Sequence, residues 1–82
     1  MNAKELIVEI AGQIVAAKPD LVTIDEVRFY AERAETLEDA KRFLWGLRCR
    51  AAVIRLGSKE RFALEDALEA SRRLIRSQGG SK

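Results

Sequence analysis

Eighty-two residues with no histidine and a single cysteine bound one small domain, with neither a disulfide nor a Cys/His zinc site to hold it together. A chain this short buries only about 60–65% of the surface its unfolded state exposes, so its core must come from good helix packing or from a second copy. The net charge of +2 hides a split: residues 1–40 carry four bases against nine acids, a net of −5, and residues 41–82 carry eleven bases against four acids, a net of +7.

The apolar residues recur at helical spacing throughout, which predicts four helices. The first spans about Ala3 to Ala17. Leu6, Ile7, Ile10, Ile14 and Ala17 form its main face, Val8, Ala11 and Val15 widen it, and Glu5, Glu9 and Gln13 mark the wet side. Lys18-Pro19 ends it, because the residue before proline is pushed out of the helical region. Leu21 and Val22 read as a connector anchored in the core. Thr23 and Glu26 have the spacing of a capping box, which opens a second helix over about Ile24 to Glu35, with Ile24, Val27, Tyr30, Ala31 and Ala34 on one side. Thr36 and Asp39 repeat the cap signal where the apolar frame slips, predicting a break there; with no Gly or Pro at that point, one bent helix is the alternative.

The third helix, about Leu37 to Leu56, is expected to be the central strut. Leu37, Ala40, Phe43, Leu44, Leu47, Ala51 and Ile54 share one face, and Trp45, Cys49, Ala52, Val53 and Leu56 form a second apolar strip. A helix apolar on two sides needs cover on two sides, from the other helices or across a homodimer. Leu44 and Leu47 are expected to be buried, Cys49 to be a small core residue, and Arg50 to be exposed and dispensable. Gly57 is a natural left-handed stop, after which Ser58 caps a fourth helix over about Lys59 to Ser77. Its face is Ala63, Leu64, Ala67, Leu68, Ala70, Leu74 and Ile75, with Glu69 and Arg73 placed to pair. Residues 1–77 thus form one helical domain, followed by a flexible tail, 78–82.

The catalytic inventory is thin. The commonest general base is missing, no serine or threonine has an evident activating partner, and adjacent carboxylates such as Glu65 and Asp66 point about 100° apart on a helix. An arginine-lined dianion site of the kind found in small helical mutases needs bases from several helices, and the first helix offers only Lys4 and Lys18, at its ends. No cofactor or metal is implied. Lys41, Arg48 and Arg55, seven apart, continue to Lys59 as a basic edge about 27 Å long, a spacing suited to phosphates. The region from Thr23 to Trp45 makes a poor helix-turn-helix, since no glycine separates its helices. Phe29 and Phe62 fall off the apolar faces, and with Trp45 they are candidate contacts for a protein partner.

The reading is an all-α bundle of about four helices with a central helix near 37–56, completed within the chain or by dimerisation. Its expected function is that of a small non-enzymatic adaptor, regulator or inhibitor that binds a protein partner as a homodimer. The alternative is a nucleic-acid-binding accessory protein using Lys41, Arg48, Arg55 and Lys59. The lone cysteine and a start unlike a secretory leader, Met1-Asn2-Ala3-Lys4-Glu5, favour the cytoplasm. Apolar runs broken by Glu9, Gln13 and Lys18 leave no membrane span.

Overall fold

The computed structural model describes residues 1–79 and contains four helices: α1 (Ala3–Ala17), α2 (Ile24–Arg33), α3 (Leu37–Val53) and α4 (Ser58–Gly79). There is no strand among the described residues. The chain is a small all-α four-helix bundle. Each boundary has a local cause. Asn2 accepts from the Glu5 amide at 2.8 Å while the Glu5 carboxylate accepts from the Asn2 amide at 3.0 Å, a capping box that starts α1. The expected box at Thr23 forms, with bonds of 3.1 and 2.9 Å to Glu26. The break before α3 also forms: Ala34 is extended, and the Asp39 carboxylate accepts from the amides of Glu35 and Thr36 at 2.8 and 2.9 Å. Those two amides would otherwise continue α2, so Asp39 holds the kink that the frame slip announces.

The core lies between α1 and the α3–α4 hairpin. Leu6, Ile7, Ile10 and Ile14 are fully buried, and α1 packs against all three other helices. The main face of α3 is buried as expected, including Leu44 and Leu47 at 4 and 3% exposure. From α4 come Leu64, Leu68 and Ile75, and from the connector Leu21 and Val22. Ala63 and Ala70, expected on the α4 face, point outward.

Several expectations are overturned. The second strip of α3 is not covered: Trp45 and Val53 are 66 and 83% exposed, and Cys49 and Ala52 are exposed as well. Principal extents of 36 × 30 × 18 Å leave room for only two layers of helices about 10 Å across, so α3 keeps one side in solvent. Within α2, no residue is fully buried, and Ile24 is 76% exposed. Its Tyr30 reaches the core through its ring, which tilts against Phe43 at 5.3 Å. Helix α3 stops at Val53, short of Leu56, because Ile54 is extended. Gly57 is not left-handed, and the last carbonyls of α3 are met instead by the Arg61 side chain, which donates to Ala51 and Ile54 at 2.9 and 2.8 Å. Gly57 directly precedes α4, its carbonyl accepting from the Arg61 amide at 2.9 Å. Gln78 and Gly79 continue α4, and the last three residues of the expected tail lie outside the described residues.

Arg50 is exposed as expected, but it is not without partners. Its guanidinium donates to both Glu26 oxygens, at 3.0 and 2.8 Å, and to the Leu21 carbonyl at 2.6 Å. It therefore pins the α1–α2 connector and the start of α2 to α3. Lys4 acts similarly from α1, donating to the carbonyls of Ala31 and Glu32 at 3.0 and 2.9 Å and completing the C-terminal end of α2. Between α1 and α4 the fully buried Ser71 hydroxyl donates to Gln13 at 3.5 Å, so Gln13 is half-buried rather than wet.

Candidate functional site

The α3–α4 hairpin sets the borders of two amphipathic helices side by side, and an open groove of about 400 Å³ runs between them. Leu44 and Ile75 form its floor. Trp45 stands on the α3 side, and Lys41 and Arg48 from α3 face Arg72 and Arg76 from α4 along the rim. The spacing explains the convergence. Lys41 and Arg48 are two turns apart on one edge of α3, and Arg72 and Arg76 are one turn apart on the neighbouring edge of α4. Arg48 also lines a second hollow further along the hairpin, with Ala52, Arg61 and Glu65.

Two of the four cations are partly neutralised. Lys41 lies 4.0 Å from Glu38, and Arg72 forms a two-pronged pair with Glu69, at 3.1 and 2.7 Å. The bond from Arg72 holds the Glu69 carboxyl below its usual range, with further help from the charge of Arg73 at 3.5 Å, and the same pair raises the Arg72 guanidinium. Arg48 and Arg76 make no ion pair among the described residues. The groove thus joins an apolar floor and an exposed aromatic ring to a net positive rim. Such a surface suits a ligand that is apolar along one stripe and anionic beside it.

The other perturbed carboxyls are structural. Glu26 is lowered first by its hydrogen bond from Arg50 and then by the Thr23 amide, and Asp39 is lowered by the amides of Glu35 and Thr36. Both shifts favour a permanently charged group, which is the direction of ion pairing and capping rather than of proton transfer near neutral pH. No group of three or more acidic or cysteine side chains is placed to hold a metal among the described residues.

Of the residues singled out from the sequence, Lys41, Arg48 and Trp45 come together in the groove. Arg55 falls in the α3–α4 connection and Lys59 in the first turn of α4, and neither lines the groove. The basic edge is therefore not one straight helical row. Phe29 lies on α2, its ring edge-on to Tyr30 at 5.4 Å and covered by the Arg33 guanidinium at 3.9 Å. Phe62 is 77% exposed near the start of α4. Neither joins Trp45. Arg72 and Arg76 are not among the residues that the sequence singles out. The signal for their role was present: they border the same apolar face of α4 that packs on α3. Comparison with family models, curated proteins and solved structures finds no match for this chain. No helix among the described residues is long and apolar enough to cross a membrane.

Proposed function

We propose that this chain is a non-enzymatic binding module that docks an acidic, amphipathic helical segment of a partner protein in the α3–α4 groove. The observation that carries this reading is the coincidence, in one open channel, of the exposed Trp45 with Leu44, Ile75 and four rim cations. A partner helix would set its apolar stripe against the floor and its carboxylates against Arg48 and Arg76, which have no acid of their own among the described residues. Such a contact fits an adaptor, regulator or inhibitor. A cytoplasmic site of action agrees with the single exposed thiol of Cys49, which a reducing compartment keeps free.

Trp45 is the only tryptophan and reports directly on the groove. The test is capture from a cytoplasmic extract on the immobilised wild-type chain and on a variant carrying Arg48→Glu and Arg76→Glu. A protein retained by wild type, lost by the variant and indifferent to nuclease supports the reading, with a blue shift of Trp45 emission when the captured protein is added back. Retention that nuclease abolishes would transfer the groove to nucleic acid, the alternative reading of Lys41 and Arg48. Retention that the double variant leaves intact would remove the groove from the function.

A further inference from the structure

A second surface lies on the other side of the bundle. The short connector folds α2 back along α1, as the bonds from Lys4 to Ala31 and Glu32 require. Between the two helices runs a broad apolar groove of about 800 Å³, lined by Val8, Gly12, Val15, Ile24, Arg28 and Glu32 among others. Its walls are open to solvent: Val8 is 56%, Val15 38% and Ile24 76% exposed. Nothing lies within 4 Å of the position a Cβ would take on Gly12, so the groove has a gap there.

We propose that this groove binds a second copy of the chain about a two-fold axis. The inference is independent of the α3–α4 groove. It rests on two pairs of opposites, each one helical turn apart. On α1, the protruding Val8 and the gap over Gly12 are separated by four residues. On α2, Arg28 and Glu32 are separated by four residues and have opposite charge. An isologous interface requires every feature to meet its complement on the same patch of the other copy. An axis between the members of each pair does this twice over: Val8 enters the gap over the other copy's Gly12, and Arg28 faces the other copy's Glu32. Glu32 makes no ion pair among the described residues, and Arg28 has only the exposed Asp25 at 3.7 Å. Both charges are therefore available. An unrelated partner has no reason to need the positive and negative groups in this order, whereas a second copy supplies them in the reverse order by symmetry.

Sedimentation equilibrium of the full chain from micromolar to submillimolar concentration tests this. The wild type should approach twice the chain mass of 9.2 kDa. Arg28→Glu and Glu32→Arg, each alone, should weaken the dimer about tenfold, since each replaces two attractions with two repulsions. The double variant should return to wild-type affinity, because the pairing is only inverted. Gly12→Leu should fill the gap and abolish the dimer while leaving the helical circular dichroism intact or raised. A wild type that stays monomeric throughout overturns the proposal. So does a dimer that neither single reversal weakens, or one that the double reversal fails to restore.

Discussion

Replacing Arg50 with alanine should destabilise the bundle by about 1–2.5 kcal/mol, although every part of Arg50 beyond its backbone looks like surface in the sequence. The magnitude has two parts. The pair with Glu26 is 43% exposed on the arginine side and 34% on the other, which keeps it in the screened range of about 0.2–1 kcal/mol. The bond to the Leu21 carbonyl, 2.6 Å and part-buried, joins a charged donor to a backbone acceptor, and such bonds contribute about 1.5 kcal/mol or somewhat less when water has partial access. For a domain of this size the sum lowers Tm by roughly 4–20 °C. Urea and thermal melts followed by circular dichroism measure it. A cycle with Glu26→Gln, which keeps an acceptor for the Thr23 amide, separates the two parts: the coupling should be below about 1 kcal/mol, and the rest should survive in the Gln background. The sign with pH is also determined. Arg50 holds the Glu26 carboxyl below its ordinary 4.5, so its contribution is present above about that pH and is lost as pH falls through the lowered value. The Arg50→Ala penalty should therefore shrink in acid without vanishing. A penalty under about 0.3 kcal/mol at neutral pH would refute the idea that Arg50 ties α3 to the α1–α2 connector.

Two further outcomes are expected. Leu47→Ala, at 3% exposure on the buried face of α3, should cost about 2–5 kcal/mol in chemical denaturation and leave the remaining chain only marginally folded. Acid should destabilise the bundle through Glu26, Asp39 and Glu69, all held below their ordinary values; their contribution is complete above about pH 4.5 and falls away below it, so a urea midpoint that stays flat from pH 6 down to pH 3 would contradict these pairings.

Local signals carried the helices. Thr23 with Glu26 and Thr36 with Asp39 mark two helix starts, because a cap is made by residues three apart and depends on nothing distant. Periodicity placed the main faces of α1 and α3 for the same reason: a stripe of Leu and Ile one turn apart has to be buried somewhere. What periodicity could not decide was how many stripes find cover. Trp45, Cys49 and Val53 look like a second core face, yet a two-layer bundle of this length has no helix left to place on them. The end of α3 is not legible at Gly57 because its carbonyls are met by Arg61, ten residues beyond Ala51, and only the turn of the hairpin brings that guanidinium back. Arg50 with Glu26 and Leu21, and Lys4 with Ala31, join residues 24 to 29 apart, a separation at which neither spacing nor composition carries information. The α3–α4 groove belongs to the same class. Lys41, Arg48 and Trp45 were visible as an edge of one helix, but a channel needs two edges, and Arg72 and Arg76 became its other side only when α4 packed against α3 and set one border beside the other.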